Sequence, residues 1–198
     1  VDRVMYDFGM PMGMFSMLDM AGIDIGVMAR AKLDKSKYDE RAFSVHEALV
    51  EKGQKGQKTG VGFYNYDGEK IPNPEVDIIA GEMAEKFDIE RRDISNEEIE
   101  ERCLLALINE GYKILDEGIA LKESDIDVVY ALGFGFPRYK GGPMHYARHL
   151  GLKNCFKNIE KYAITQGERW WTPSPLPMPP QQTSGASTFA WPARRPGR

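Results

Sequence analysis

Two stretches of this chain, about 125 residues apart, carry the same order of residues, and this internal repeat constrains the fold more than any other feature. The first reads Val1-Asp2-Arg3-Val4 and then Phe8-Gly9-Met10-Pro11; the second reads Ile126-Asp127-Val128-Val129 and then Phe134-Gly135-Phe136-Pro137. Each predicts a short helix that stops at a glycine, before a proline that suits the start of the next helix. The repeat therefore predicts one structural unit present twice. Neither copy carries a recognisable catalytic set, which indicates packing and assembly before chemistry.

Composition narrows the class of protein. At 198 residues, 42% of them apolar, the chain can bury a core and form one or two domains. Its net charge of −4 is too weak and mixed to favour nucleic acid or an anionic membrane. Cys103 and Cys155 belong to no metal-spaced cluster, which argues against zinc or a disulfide framework. No apolar run reaches the roughly 20 residues of a membrane span, and no signal peptide is recognisable, so we expect a soluble, non-secreted protein.

The first half predicts three helices, over residues 1–8, 14–21 and 23–33, separated by glycines. Because Val1 already lies in the first of them, we expect a fragment whose upstream part is missing. Five methionines recur across residues 10–20; they could line an adaptable apolar pocket or, more simply, form a core stripe. Residues 51–62 are rich in Gly, Lys and Gln and lead into a strand-like alternation at 61–66. Residues 70–74 read as a linker.

The second half predicts a long helix from Asn96 to about Glu117. Ser95 and Glu98 form a capping box at its start, in which each side chain satisfies a free backbone amide, and Gly118 ends it. Shorter helices are predicted over 125–132, with a cap at Ser124, and over 144–150 and 154–164. The Pro, Ser, Gln and Arg composition of the last residues predicts a disordered tail.

Several motifs lack the context that their chemistry requires. Asp7-Phe8-Gly9 spells the magnesium-binding triplet of protein kinases, but the other kinase motifs are absent. The glycine pairs at 60 and 62 and at 133 and 135 lack the third glycine of a dinucleotide-binding turn. His145 and His149 have metal-compatible spacing but no third ligand, so a surface or structural role is favoured. Asp127 and the other carboxylates are explained by capping and solubility.

The remaining motifs resemble one family as a set. The segment 58–66, Lys-Thr-Gly-Val-Gly-Phe-Tyr-Asn-Tyr, is similar to the end of the C-terminal domain of 3-hydroxyacyl-CoA dehydrogenases, and the Phe-Gly-Met-Pro-Met-Gly run at 8–13 resembles the middle of that domain. Residues 99–151, with Asn109-Glu110-Gly111 and Lys140-Gly141-Gly142-Pro143-Met144, resemble the second copy found in multifunctional β-oxidation enzymes. The similarity covers about residues 1–172.

The resemblance implies that the catalytic centre lies elsewhere. In such enzymes a hydratase/isomerase domain and a Rossmann domain with NAD and the catalytic residues come first, and two helical domains follow. The assisting Asn-Arg pair of the family would lie upstream of Val1; in the second copy the matching position is Glu101-Arg102, and an ionised carboxylate cannot donate the hydrogen bond of an amide. Asn109 lies about two turns further on and is not that amide. We therefore predict no catalytic, cofactor-binding or metal-binding residue in this chain.

These observations predict an all-α fold of two related helical domains. The expected divisions are a first copy at 1–69 without its first helix, a linker and connecting helix at 70–94, a second copy at 95–172 and a tail at 173–198. The resemblance implies a parent enzyme that oxidises (S)-3-hydroxyacyl-CoA with NAD, in which this part closes the acyl-CoA cleft against the Rossmann domain and mediates domain or subunit packing. The candidates for acyl contact are Met10, Pro11, Met12 and Phe15, at an apolar loop-to-helix junction, although simple packing explains them equally well.

One alternative is a non-enzymatic, all-helical interaction or dimerisation module. It would bind a partner through the apolar surface that the missing helix would cover. The resemblance places the protein in the peroxisome if it is eukaryotic and in the cytoplasm if it is bacterial. The chain ends in Arg195-Pro196-Gly197-Arg198, without a peroxisomal address of the Ser-Lys-Leu type.

Overall fold

The computed structural model describes residues 1–32 and 39–175 of the chain. Within them the fold is helical, as predicted from the sequence. The ten helices are α1 Asp2–Phe8, α2 Met14–Ala21, α3 Ile23–Arg30, α4 Glu40–Glu51, α5 Glu75–Lys86, α6 Asn96–Asp116, α7 Glu123–Gly133, α8 Pro143–Leu150, α9 Leu152–Gln166 and α10 Glu168–Trp171. None of the described helices combines the length and apolar character that a membrane crossing requires.

The only strands among the described residues form one short antiparallel pair, β1 (Tyr64–Asn65) and β2 (Ile71–Pro72). Within the strand-like segment predicted at 61–66, the strand is limited to Tyr64–Asn65. The linker predicted at 70–74 instead contains β2 and leads directly into α5. The alternation at 61–66 has another cause, because the backbone there turns around a buried carboxylate that is described below.

Three apolar clusters form the core of the described part of the chain. The first-unit core joins α3, α4, the Gly-rich segment and α5 through Ile23, Leu49, Phe63 and Ile79. The second-unit core is larger and is built from α6 to α10, with Ile108, Met144 and Ile159 almost inaccessible to solvent. A third cluster, which we call the junction core, consists of Met5, Phe8, Met10, Leu104 and Phe136 and lies where α1 meets α6. The junction core is the contact that joins the repeated segments.

The long helix α6 begins as predicted, since the Ser95 hydroxyl accepts a hydrogen bond from the Glu98 amide at 3.2 Å. The second half of the predicted capping box is wrong. The Glu98 carboxylate does not return to the backbone but binds the Arg92 guanidinium, which outcompetes a neutral amide because it carries a full charge. Gly111 gives α6 its close approach to α8, because a side chain there would collide with the sulfur of Met144.

Helix boundaries elsewhere differ by a few residues from the sequence-based ones. Helix α7 starts at Glu123 after Lys122, so the predicted cap at Ser124 is wrong and Ser124 lies inside the helix. Helix α9 extends beyond the predicted range at both ends. Helix α3 ends at Arg30, so its predicted extension is wrong at Ala31 and Lys32, which lie in a turn. Leu33 falls outside the described residues, as does the predicted tail apart from 173–175. Helix α4 had no counterpart in the sequence analysis.

Candidate functional site at the junction of the two units

The two repeated loops meet each other reciprocally. Gly9 of the first loop packs against Pro137 of the second, whose Cγ would lie 3.0 Å from a side-chain carbon at Gly9. Gly135 of the second loop packs against the ring of Pro11 of the first, leaving no room for a side chain. Both glycines have a positive φ, +111° and +73°. The loops therefore form a self-complementary pair of the kind seen in twofold interfaces, here within one chain.

Aromatic rings fill the space beneath these loops. The rings of Phe8 and Phe136 meet edge to face, with their centroids 5.5 Å apart. The two residues belong to matching loops but occupy different positions of the repeat. Tyr146 of α8 contacts Phe8 in the same geometry at 5.5 Å. Edge-to-face packing of three rings fixes the relative position of α1 and α8. Aromatic packing therefore forms a large part of the contact between the units.

Lys140 closes the junction from one side. Its Nζ lies 4.0 Å from the ring centroid of Phe8 and 5.0 Å from that of Tyr146, distances at which the ring faces attract a cation. The neighbouring Tyr139 hydroxyl donates to the Phe8 carbonyl oxygen at 3.4 Å. Both residues belong to a turn between Pro137 and Gly142 that is longer than the matching segment between Pro11 and Gly13. The additional residues of the second copy, including Tyr139 and Lys140, therefore contact Phe8 of the first copy.

A buried carboxylate in the first unit fastens the start of α2. Asp2, 5% exposed, accepts hydrogen bonds from the Phe15 amide at 2.8 Å and the Ser16 amide at 2.9 Å. It also accepts from the Ser16 hydroxyl at 2.6 Å and the Tyr64 hydroxyl at 3.0 Å. Burial alone would raise the pKa of Asp2, but these donors outweigh it and lower the pKa below its usual value. The pKa of Tyr64 rises to about 12, through burial and its bond to Asp2.

Asp127 of the second unit repeats this arrangement at the start of α8. Its carboxylate accepts from the Met144 amide at 2.7 Å and the His145 amide at 3.1 Å. Gly142 lies against Asp127 as Gly13 lies against Asp2, and neither glycine has room for a side chain. The sequence analysis explained Asp127 by capping, and this role is confirmed, although the helix it caps is not its own. Matching contacts in both units also confirm the duplicated helical fold.

A third buried carboxylate organises the Gly-rich segment. Asp19 at the end of α2, 1% exposed, accepts from the backbone amides of Phe63 and Tyr64 at 2.9 and 3.0 Å and from the Tyr66 hydroxyl at 2.9 Å. Gly62 packs directly on this carboxylate. One glycine of each pair noted in the sequence is therefore tightly packed, Gly62 against Asp19 and Gly135 against Pro11, whereas Gly60 and Gly133 have open space around them.

The four residues predicted to contact an acyl chain are adjacent in sequence but not in environment. Met10, 9% exposed, packs in the junction core, and Pro11 lies against Gly135. Phe15 stacks on Phe63 with centroids 4.5 Å apart and borders the first-unit core. Met12, which lies between them in the sequence, is half-buried. The structure thus brings Met10 and Pro11 to the junction and directs Phe15 elsewhere, and the acyl contact stays a prediction.

A cleft of about 850 Å³ opens between α6, α8 and α9 of the second unit. Glu101, predicted from the sequence to match the family's Asn-Arg pair, lines it. Its carboxylate accepts hydrogen bonds from the side-chain amide of Asn158 and, at 2.8 Å, from the Tyr162 hydroxyl. Burial and this bond raise the pKa of Tyr162 to about 12. The Arg102 guanidinium forms a salt bridge with the Glu98 carboxylate, with a nitrogen–oxygen distance of 3.6 Å. Sequence reasoning missed Asn158 and Tyr162, although their spacing of four residues on α9 was readable.

Other polar candidates have structural surroundings. Asn109, 1% exposed, donates to the Thr172 carbonyl oxygen and accepts from the Ser174 amide, both at 2.9 Å, so it fastens the end of the described chain to α6. His46 lies among aromatic rings, and burial together with nearby Arg30 lowers its pKa to about 4. Across residues 1–32 and 39–175, no three His, Cys, Asp or Glu side chains come together in a group that could hold a metal ion.

Comparison with known proteins places these features in a family. The model of the 3-hydroxyacyl-CoA dehydrogenase C-terminal domain matches residues 1–66 and 99–179. The chain therefore belongs to the family of 3-hydroxyacyl-CoA dehydrogenase C-terminal domains. The two matched stretches contain the two repeated loops and the two buried aspartates that cap α2 and α8.

Its relatives are longer proteins. The human peroxisomal bifunctional enzyme is 39% identical over 178 residues, covering 82% of this chain and 25% of the relative. The fatty acid oxidation complex subunit alpha of Shewanella sp. (strain MR-4) is 33% identical over 175 residues, covering 86% of this chain and 24% of the relative. The chain thus spans about a quarter of the length of these curated relatives.

Solved structures agree with the fold. The dehydrogenase part of multifunctional enzyme 1 from C. elegans matches with a TM-score of 0.66 at 25% identity, covering 88% of this chain and 40% of that one. A 3-hydroxybutyryl-CoA dehydrogenase from Escherichia coli K12 matches in fold, with a TM-score of 0.63 at 19% identity, covering 87% of this chain and 52% of that one. Both are similar across nearly the whole of the present chain.

Proposed function

We propose that this chain is the C-terminal helical part of a multifunctional β-oxidation enzyme that oxidises (S)-3-hydroxyacyl-CoA to 3-ketoacyl-CoA with NAD. The observation that carries the proposal is the duplication of one family domain within a single chain, joined by the reciprocal contacts of Gly9 with Pro137 and of Gly135 with Pro11. Relatives named as bifunctional and fatty acid oxidation enzymes support the same class. NAD would be bound by a Rossmann domain upstream of Val1.

In this proposal the two units have different tasks. The first closes the acyl-CoA cleft against the Rossmann domain. The second takes the place of the partner subunit that a single-copy dehydrogenase would recruit, because a self-complementary surface can be satisfied by an internal copy as well as by a second chain. The ring contacts and Lys140 at the junction support this division, since they hold the first unit in a fixed position.

The acyl contacts are assigned to Met10, Pro11, Met12 and Phe15. Met12 is the member best suited to direct contact, because it is half-buried and lies between residues committed to two different cores. Met10 and Phe15 would not contact the acyl chain themselves but would hold the loop that carries Pro11 and Met12 in position. A flexible thioether suits acyl chains of varied shape.

Turnover of the isolated chain and of the full-length protein tests the main proposal. With acetoacetyl-CoA and NADH, the 198-residue chain should show no NADH oxidation, and a chain that includes the upstream Rossmann domain should show it. Hydride transfer by the 198-residue chain alone would contradict this location of the chemistry. A full-length protein without dehydrogenase activity would favour the interaction module that the sequence also allowed.

A chain-length assay in the full-length enzyme tests the acyl contacts. Met12→Ala should raise the KM for a dodecanoyl-length 3-ketoacyl-CoA roughly tenfold while leaving the KM for acetoacetyl-CoA unchanged, because only the longer chain reaches the side chain. Met28→Ala is the matched control, since Met28 on α3 is 61% exposed and lies outside the candidate set. Equal effects of Met12→Ala on both substrates would indicate a structural role only.

The relatives also suggest where the enzyme works. In a eukaryotic host we place it in the peroxisome, as the name of the human relative indicates, and in a bacterial host in the cytoplasm. Its partners in this proposal are the acyl-CoA that it shares with the Rossmann domain and the helical surfaces of the same enzyme. Fractionation of cells that express the full-length protein would test this location.

A further inference from the structure

Arg30, the last residue of α3, is held in one orientation by its neighbours. Its Cζ lies 3.8 Å from the centroid of the Phe43 ring on α4, so the guanidinium lies over the face of that ring. Its Nη1 lies beside Gly26, one turn earlier in α3, where a side-chain carbon would approach that nitrogen to 3.1 Å. Because the guanidinium is planar, the edge formed by Nε and Nη2 lies on the side opposite Nη1, away from Gly26.

The Nε–Nη2 edge of Arg30 is buried and unpaired. Neither nitrogen has a hydrogen-bond partner among the residues that the structure describes. In Arg148 the same edge donates to the Glu123 carboxylate, at 2.7 and 2.8 Å. Arg41 binds the carboxylate of Asp39 through the same two nitrogens. A buried donor without an acceptor is costly, and a buried charge without a partner is more so. Arg30 therefore presents a full charge and two parallel N–H donors that lack a counterpart in the described fold.

His46, nearly one turn after Phe43 on α4, carries a third buried atom of this kind. Its Nδ1 also lacks a hydrogen-bond partner within the described residues. Its ring meets the Phe43 ring at a centroid distance of 6.0 Å and the Phe63 ring at 5.3 Å. Burial, and then the charge of Arg30, lowers the pKa of His46 to about 4, so the imidazole is neutral at pH 7. With its proton on Nδ1, it supplies a third donor.

The carboxylates near the starts of the two helices have other partners. Asp39, which caps α4, accepts from the Arg41 amide at 3.0 Å and from the Arg41 Nε at 2.9 Å. Asp24, in the first turn of α3, forms a salt bridge with Lys58. Neither carboxylate is therefore available to neutralise Arg30.

Aromatic rings surround the two side chains. Phe43 and Phe63 lie against His46, and Trp170 of the second unit contacts the Phe43 ring edge to face at 5.8 Å. The cluster therefore lies where α4 of the first unit meets α10 of the second. Surroundings of low dielectric strengthen an ion pair and make an unpaired charge costly. A counter-charge at this place would thus contribute more to stability than one on the surface.

We propose that Arg30 and His46 form a binding site for a small anion with two oxygen atoms on one side, a carboxylate or a phosphate. Its two oxygens accept from Nε and Nη2 of Arg30, because the guanidinium fork matches that spacing, and one of them also accepts from Nδ1 of His46. The anion reaches the buried edge through local opening of the four-residue helix α10. Once bound, it neutralises the charge of Arg30 and stabilises the folded chain. The site is separate from the junction core and does not depend on the proposed function.

Thermal unfolding of the 198-residue chain tests the site. The native protein, Arg30→Met and the control Arg3→Met, at an exposed arginine on α1, are unfolded in sodium chloride, sodium phosphate and sodium acetate at equal ionic strength and pH 7. We expect phosphate or acetate at ~50 mM to raise the Tm of the native protein and of Arg3→Met by about 3 °C above the value in chloride. Arg30→Met should show no such rise. A rise with phosphate alone assigns the site to phosphate groups, and a rise with acetate alone assigns it to carboxylates.

No rise in either salt, or the same rise in Arg30→Met, would overturn the proposal. A second measurement needs no variant. The nitrogen resonances of the His46 imidazole in the native protein are followed by NMR as the same salts are added, and they should shift with phosphate or acetate but not with chloride. Resonances that respond to none of the three salts would also overturn the proposal.

Asp34 provides the test of an acceptor within the chain itself. It follows Arg30 by four residues in the sequence and lies outside the described residues. We expect Asp34→Asn to keep the response to the anion. We also expect Arg30→Met in chloride to unfold at no lower temperature than the native protein, because it removes an uncompensated buried charge. If both variants instead lower the Tm alike and the native protein does not respond to the added anions, Asp34 is the partner of Arg30 and the proposal is wrong.

Discussion

The two units cap a helix in the same way but surround the capping carboxylate differently. Asp2 and Asp127 occupy the same place in the repeat, and each binds the first amides of the helix that follows its loop. Asp2 receives two further hydrogen bonds, from the hydroxyls of Ser16 and Tyr64, and its pKa is lowered. The pKa of Asp127 is raised, because its burial outweighs the backbone amides that it binds.

The difference originates in the segment that follows the repeat. In the first unit, the Gly-rich turn around Asp19 brings Tyr64 over α2, where its hydroxyl reaches Asp2. In the second unit, α9 continues as a long helix instead, and its side chains line the cleft beside Glu101. The duplicated backbone motif is therefore retained in both units, while the neighbouring segment decides how strongly its carboxylate is bound.

The largest expected effect is at Asp2. We expect Asp2→Ala to lower the free energy of unfolding by ~3–4 kcal/mol, because two helix amides and two hydroxyls lose a shared, buried acceptor. Asp127→Ala should cost ~1–2 kcal/mol, as loss of a helix cap usually does. Urea unfolding followed by circular dichroism measures both. Asp7→Ala, on the exposed side of α1, is the control and should change little. Equal losses for the two capping residues would show that the additional hydroxyls contribute nothing.

The reciprocal loops give the second effect. We expect Gly135→Ala to cost ~2–3 kcal/mol, since the residue has a positive φ and faces the Pro11 ring. Gly118→Ala isolates the backbone part, ~1 kcal/mol, because Gly118 has a similar φ of +70° and no atom near the place of a side chain. In the double variant Gly135→Ala with Pro11→Ala, the stability lost through the collision with the Pro11 ring should be regained, which thermal unfolding measures. A loss at Gly135 no larger than at Gly118 would contradict the close contact between loops.

Much of this fold was readable from the sequence because its signals are local. The bounds of α2 and the start of α6 follow from glycines and from Ser95, and the repeat itself predicted two related units. Helix α4 was missed, although Asp39 caps it and Val45 and Leu49, four residues apart, carry the helical spacing of its buried side. The cap at Ser124 was wrong, since a serine inside a first helical turn has the same local sequence context as one that caps it.

The junction was not readable, because its contacts join residues more than 100 positions apart. Gly9 and Pro11 carry the same local signal whether they face solvent, ligand or the other copy. The pairing with Pro137 and Gly135 depends on the pseudo-twofold relation, which no single stretch of sequence encodes. Asp19 shows the same limit, since its partners Phe63 and Tyr64 come from a segment that reads as a strand.

Lys140 tests the junction without altering the backbone. We expect Lys140→Met to lower the free energy of unfolding by ~1 kcal/mol, because the aliphatic stem is kept while the charge over the rings of Phe8 and Tyr146 is lost. Lys153→Met on the exposed side of α9 is the control. Chemical denaturation with both variants in parallel measures the difference. If the two variants lose the same amount, the ring contacts do not hold the units together.

The smallest expected effect is that the contributions of Asp2 and Asp127 to stability change in opposite directions as the pH changes. Asp2 has a lowered folded-state pKa, so its contribution to stability is present above the unfolded value near 3.8 and is lost as the pH falls through the folded value. Asp127 has a raised pKa, so its contribution is present below the unfolded value and is lost as the pH rises through the folded one. The free energy of unfolding is measured between pH 3 and 7 for the native protein, Asp2→Asn and Asp127→Asn. The differences give the contribution of each carboxylate separately. The advantage of the native protein over Asp2→Asn should shrink toward acid pH, while its advantage over Asp127→Asn should shrink toward neutral pH. Parallel slopes for the two variants would mean that the carboxylates titrate alike, and the divergence between the units would then lie in packing alone.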